Sequence, residues 1–157
     1  MRKSLRIQLV VVGRLRPPHD AAGQLYEQRI AQQVGFRVDE VAAAPLQRGE
    51  AHARGLEAER MRGRLVENAW VVALDPEGRT PASSRAFSAW LERRFSAARP
   101  VAFLIGGAAG LDDAFLSTSD ERMSLGPLTM PHQLARVVLV EQLYRALCLQ
   151  SGHPYPH

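Results

Sequence analysis

The stretch "VAFLIGGAAGL", Val101–Leu111, decides how the chain folds. Its apolar run stops abruptly at Gly106, Gly107 and Gly110. A short apolar run closed by glycine reads as a strand buried on both faces, as in a parallel sheet between two helical layers. Glycines at such a strand end let backbone come close to a ligand or to a neighbouring segment. Working outward, "LRIQLVVVGRL" repeats the pattern and closes on Gly13, and "AWVVALD" repeats it and ends at Asp75. "AAGQLYEQRIAQQV" places Leu25, Ile30 and Val34 at helical spacing, and "FRVDEVAA" predicts a strand before Pro45. The Arg/Glu-rich segment from Gly49 to Asn68 has helix-forming composition despite Gly55 and Gly63. "PASSRAFSAWLERRFSAAR" puts Phe87, Trp90, Leu91 and Phe95 on one side of an amphipathic helix, with Pro81 near its start. A short helix near Asp112–Ser119, a brief apolar segment at Met123–Leu125 and a last helix from about Pro131 to Gln150 complete the chain.

Strand and helix alternate almost throughout. The expectation is an α/β fold with a mainly parallel sheet flanked by helices, in a single domain over residues 1–157. Ligands gather at the carboxyl ends of the strands in such sheets, which singles out Leu74-Asp75 and the Gly106–Gly110 loop.

Composition narrows the class. A chain of 157 residues can bury one real core and hardly two. Cys148 is the single cysteine, so an internal disulfide and a thiolate-cluster metal site are both excluded. No apolar run is long enough to span a bilayer. The basic, then apolar, start continues into Gly13, Arg14 and Arg16 instead of a small-residue cleavage site, so it reads as a first strand. The expectation is a soluble, cytoplasmic protein with neither membrane nor metal. The formal net charge is +4, and Lys3 is the one lysine among the basic residues. Arginine's planar fork suits phosphate, so nucleic acid and an ordinary solvated surface are equally served by this charge. The bias is strongest in "RGLEAERMRGRL", where Glu57 and Glu59 offer surface ion pairing as the alternative to RNA.

The glycine loop fits neither familiar phosphate cradle. A P-loop needs Lys and Ser/Thr after its last glycine, and here Leu111, Asp112 and Asp113 follow. "GGAAG" lacks the spacing of a dinucleotide fingerprint, and an acidic pair at a helix start caps the helix while repelling phosphate. Further on, Leu125–Met130 is an apolar Gly/Pro loop that offers backbone groups and contact for a flat ring. Pro131 suits the first turn of the helix after it. That helix is apolar nearly all round, through Val137, Val138, Leu139, Val140, Leu143, Leu147 and Leu149, which predicts burial on several sides, a partner chain included. Glu141 and Arg145 are spaced for an ion pair, whereas Arg136 has no evident partner and stands out as a functional candidate.

"FLIGGAAGL", "SLGPLTMPHQLARVVLVEQLYRA" and the closing "HPY" together resemble the RlmH family of ribosomal large-subunit methyltransferases, of the SPOUT superfamily. The resemblance runs from the first strand to the tail. It implies a small α/β domain whose C-terminal part threads a deep trefoil knot, a topology that sequence pattern alone would reject. It also implies a homodimer that uses S-adenosylmethionine and methylates N3 of a pseudouridine, position 1915 of 23S rRNA, on the assembled ribosome. Matched residue by residue, Leu74, Gly106, Leu125, Gly126, Pro127, Leu128, Thr129 and Met130 bind the cofactor, with Gly107 beside Gly106. A branched side chain at Gly106 is then expected to occupy the ligand's place and leave the fold intact.

Methyl transfer to nitrogen needs a positioned donor, a presented acceptor and loss of a proton. No acidic pair or His-carboxylate dyad is visible. His153, Tyr155 and Arg136 are the candidates for catalysis or acceptor placement, with the tail "SGHPYPH" expected to leave the last helix and cross the cofactor mouth. For His132 a packed helix-start histidine competes with a functional one. Relatives continue "HPY" with His and a basic residue, whereas this chain ends Pro156-His157. The rival readings are a non-catalytic RNA- or ribosome-binding protein of the same fold, and an enzyme for a different nucleotide.

Overall fold

In the computed structural model, which describes residues 3–155, five parallel strands form one sheet in the order β2-β1-β4-β3-β5. The strands are β1 (Leu5–Val12), β2 (Gly35–Val41), β3 (Trp70–Arg79), β4 (Val101–Ile105) and β5 (Glu121–Met123). The helices are α1 (His19–Gln33), α2 (Glu50–Arg62), α3 (Ser84–Ser96), α4 (Asp113–Thr118) and α5 (His132–Ser151). Each element expected from the sequence is present within a few residues of its expected bounds.

Side-chain alternation sorts the core into two layers. Ile7, Leu9 and Val11 of β1 and Val101, Phe103 and Ile105 of β4 face α1, α3 and α5. Val10, Val12 and Leu104 face Ala58 and Met61 of α2 and Phe115 of α4. Because β1 and β4 are covered on both faces, their sequences run apolar without a break. One exception is informative. Gln8 is fully buried in β1; its amide donates to Asp39 Oδ2 and to the Arg64 carbonyl, both at 2.8 Å, and its oxygen accepts from Val66 N–H at 3.2 Å. A buried amide satisfied on both ends ties β2 and the α2–β3 connection to the central strand. Burial raises the Asp39 carboxyl, but hydrogen bonds from Arg37 and Gln8 and the charges of Arg37 and Arg64 outweigh it and hold it below its ordinary range.

Helix α5 lies on the sheet between α1 and α3, which buries Leu139, Val140, Leu143, Ala146 and Leu147 within the chain. Most of its apolar circumference is thereby accounted for. Gly152 ends it in the left-handed conformation at φ 71°, with its N–H on the Cys148 carbonyl. Arg136 corrects the expectation of an unpartnered cation. It is buried, donating from Nε to Glu27 of α1 at 2.9 Å and from a terminal nitrogen to Glu40 of β2 at 2.7 Å. Two carboxylates far away in sequence were invisible to local spacing. No helix among the described residues is long and apolar enough to cross a membrane.

Arg136→Met should lower unfolding stability by about 3 kcal/mol, because it strands the buried Glu27 carboxylate. Urea denaturation checks this, and an unchanged midpoint would show that the fork is dispensable.

Candidate functional site

The carboxyl ends of β3, β4 and β5 meet the first turn of α5 around a cleft of about 930 Å³, at the upper end of the usual range for ligand pockets. Its walls are two glycine-bearing loops. The first is the loop after β4, where Gly107 and Gly110 form a narrow bridge closed by Gly110 N–H on the Gly107 carbonyl at 3.0 Å. A Cβ on Gly106 would stand 2.6 Å from the Gly110 carbonyl carbon, and one on Gly107 would stand 3.0 Å from Val12 and 3.3 Å from the Glu57 carboxylate. At position 106 the loop is folded back so tightly that only glycine fits, and at 107 a side chain would press on Val12 and Glu57. This corrects the expectation for Gly106: an added side chain meets the loop's own backbone before it meets ligand space.

The second wall is the loop between β5 and α5. Ser124 Oγ accepts from Gly126 N–H at 3.1 Å and donates to the Gly126 carbonyl at 2.8 Å, pinning the turn in which Gly126 takes φ 140°. Leu74, Gly106, Leu125, Gly126, Thr129 and Met130, all expected from the sequence, line the cleft together. Pro127 and Leu128 do not; Leu128 projects into solvent with 80% of its surface exposed. The floor adds Asp75, a strand end that the sequence singled out, together with Pro76, Glu77 and Arg122, which sequence reasoning missed. Asp75, Pro76 and Glu77 bulge out of β3, with Glu77 N–H on the Asp75 carboxylate at 3.2 Å and Arg122 of β5 at 3.6 Å from Asp75. The turn-forming "DPEG" was a signal for that bulge. Arg54 enters from α2 and donates to the Ala109 carbonyl at 3.4 Å.

Phosphate is not the natural occupant. Asp112 caps α4 by accepting from Phe115 N–H at 3.1 Å, and Asp113 lines the cleft. His132, also on the wall, has its ring pKa lowered by burial and by the nearby Arg16 charge, against the pull of Glu57, so it is neutral at physiological pH. Among the described residues, no group of three or more His, Cys, Asp or Glu could hold a metal ion.

The tail is elsewhere. Tyr155 lies edge-on to Tyr144 at 4.9 Å, under Arg145 at 4.7 Å, with its hydroxyl 3.1 Å from both Tyr26 and the Glu141 carboxylate. Glu141 and Arg145 form the expected ion pair at 2.6 Å. None of these residues lines the cleft, so the expectation that the tail crosses the mouth of its own cleft is corrected. The physical reason is packing: Tyr155 finds an aromatic and polar seat on the α1–α5 face, about halfway along α5. His153 is exposed and gives its backbone N–H to Cys148. Burial, the Tyr26 hydroxyl and the Glu141 charge raise the Tyr155 phenol, which therefore stays protonated. Pro156 and His157 lie outside the described residues.

An all-parallel α/β sheet with a backbone-walled cleft at its carboxyl ends defines an α/β cofactor-binding protein. A probable methyltransferase from Bordetella pertussis shares this fold with a TM-score of 0.56, over 91% of this chain and 95% of its own, at 16% identity. A family model described as "Predicted SPOUT methyltransferase" matches residues 5–157. The ribosomal RNA large subunit methyltransferase H of Gluconacetobacter diazotrophicus is 42% identical over 149 residues, 95% of each chain. The protein of that name from Gemmatimonas aurantiaca is 43% identical over 155 residues, 96% of this chain and 99% of its own. The chain belongs to the SPOUT methyltransferases, in the family of ribosomal RNA large subunit methyltransferase H, enzymes that depend on S-adenosylmethionine.

Gly106→Val should therefore do more than block a ligand. Overpacking of this kind costs about 1–3 kcal/mol of stability, and cofactor affinity should fall with it. Calorimetric titration alongside thermal unfolding checks both, and a variant as stable as the parent would restore the simpler blocking picture.

Proposed function

We propose that this chain is a cytoplasmic, homodimeric methyltransferase acting on 23S rRNA of the assembled ribosome, with N3 of pseudouridine 1915 as the acceptor. The observation that carries the cofactor assignment is the pairing of two glycine-bearing backbone loops around one cleft. The residues fit S-adenosylmethionine. The backbone of the loops 106–110 and 125–130 suits the adenine edge, Leu74, Leu125 and Met130 suit its faces, and Asp75 and Glu77 suit a ligand bearing positive charge. When bound, the cofactor supplies a methyl group on a sulfonium, an electrophile that needs only an aligned nitrogen. Alignment of this sort is worth roughly 7–11 kcal/mol, so the protein's main task is positioning. The trefoil threading that the family implies would hold both loops and α5 in one unit.

Acceptor placement falls to the tail of the other subunit. Tyr155 and the Glu141–Arg145 pair form a coherent polar cluster with His153 exposed two residues before Tyr155, yet all sit away from the cleft of their own chain. Leu134, Val137 and Val138 on the outer side of α5 stay partly uncovered, which supports a self-complementary contact there. Across such a contact one chain's tail serves its partner's cleft. With its hydroxyl held by Glu141, Tyr155 stacks its ring on the base and orients it, and the exposed His153 takes the N3 proton. Arg136, paired twice in the core, supports α5 instead of touching the acceptor.

Mass spectrometry of 23S rRNA tests the substrate: a strain lacking this chain should lose the methylated pseudouridine and regain it on complementation, and a persistent modification would sink the assignment.

Removal of Gly152–His157 should leave cofactor affinity nearly unchanged and cut ribosome methylation at least tenfold. Mixing this truncation with a Leu125→Arg chain, whose cleft is filled, should restore activity through mixed dimers. Absence of restoration would mean that each tail serves its own cleft.

A further inference from the structure

The loop between β1 and α1 has its backbone tied down and its cationic side chains left free. Gln133, in the first turn of α5, clamps it from both sides: Arg16 N–H donates to Gln133 Oε1 at 2.9 Å, and Gln133 Nε2 donates to the Arg14 carbonyl at 2.8 Å. Gly13 N–H is held by the Val41 carbonyl at 2.8 Å, and the Arg16 carbonyl accepts from His19 N–H at 2.8 Å. The Arg14 and Arg16 guanidinium groups are exposed and have no partner among the described residues. Arg48, on the next loop after β2, is exposed and unpartnered in the same sense. At the opposite end of the sheet most arginines are engaged within the chain: Arg37 and Arg64 by Asp39, Arg94 and Arg99 by Trp70.

The loop also adjoins the cleft. It lines a small pocket that shares Ile105 and His132 with the main cleft, and the Arg16 charge is felt at His132. Asp20 and Glu50 are acidic neighbours on this rim, and Glu50 is turned toward Arg54 at 3.7 Å. A rigid backbone carrying two free guanidinium forks is suited to a polyanion held in fixed register, since phosphate contacts position a nucleic acid without reading it.

We propose that the Gly13–Pro18 loop is an RNA-backbone grip, in which Gln133 holds Arg14 and Arg16 so that their guanidinium groups engage phosphates on the rim of the cofactor cleft. This rests on the proposed action on ribosomal RNA and assigns the surface by which that RNA approaches. Because the clamp residue sits one position after His132, the same turn of α5 sets both the cleft wall and the grip.

The experiment is co-sedimentation of the full-length protein with purified ribosomes at several salt concentrations, with calorimetry of S-adenosylmethionine binding in parallel. Arg14→Gln/Arg16→Gln should bind the cofactor like the parent. It should bind ribosomes about ten- to a hundredfold more weakly at low salt, with a log–log salt slope smaller by about 2. Gln133→Ala keeps both charges and frees the loop, and it should weaken ribosome binding several-fold. Arg93→Gln, at the far end of α3, should bind like the parent. A photocrosslinker at position 16 should mark rRNA. Parental affinity and slope in the double variant, an equal loss from Arg93→Gln, parental binding by Gln133→Ala, or crosslinks to ribosomal protein alone would each overturn the grip. A parent protein that fails to bind ribosomes at all would instead overturn the functional reading beneath it.

Discussion

The burial of α5 against the sheet, between α1 and α3, is the constraint on which the rest depends. Its inward side chains close one face of the core, and Arg136 forks into Glu27 and Glu40 to fix its rotation. Once that rotation is set, every functional part follows from position along one helix. The first turn supplies His132 and Ala135 to the cleft and Gln133 to the β1–α1 loop. Two to three turns on, Glu141 and Arg145 hold the tail through Tyr155. A buried ion pair is weak evidence for stability, but breaking one is costly, so the fork works chiefly as a register pin.

Much of this was legible in the sequence because it is local. Apolar runs closed by Gly13, Asp75 and Gly106 gave the strands, and helical spacing around Phe87–Phe95 gave α3. The misfit of "GGAAG" to both phosphate motifs, with Asp112 as a helix cap, pointed away from phosphate, and the cap is observed. What escaped was set by contacts distant in the chain. The partners of Arg136 lie 109 and 96 residues away, and no spacing rule reaches them. The junction that Gln8 makes with Asp39 and the Arg64 carbonyl likewise joins residues 31 and 56 positions apart. The tail's seat against Tyr26, Glu141 and Tyr144 also escaped, because composition said that it leaves the helix and could not say towards which neighbour.

The two glycines after β4 show how one residue type answers two demands. Gly106 is required by the close backbone approach of Gly110, while Gly107 is favoured by tight contact with the Val12 and Glu57 side chains. The sequence suggested that bare backbone served a ligand, a neighbouring segment, or both. The structure supplies the neighbouring segment, and the cleft beside it is the place we propose for the cofactor. Arginine use differs within the cleft's own surroundings, with Arg54 and Arg122 partnered on its lining and Arg14 and Arg16 left exposed on the adjoining loop.

The central claim is that adenosylmethionine is held by backbone from the loops 106–111 and 125–130. Amide hydrogen exchange with and without the cofactor tests it most directly, since it reads the backbone N–H groups themselves. Exchange should slow in both loops and at the start of α5, with the α1–α5 face around Tyr155 unchanged apart from the dimer contact. Protection confined to another surface, or none in either loop at saturating cofactor, would contradict it.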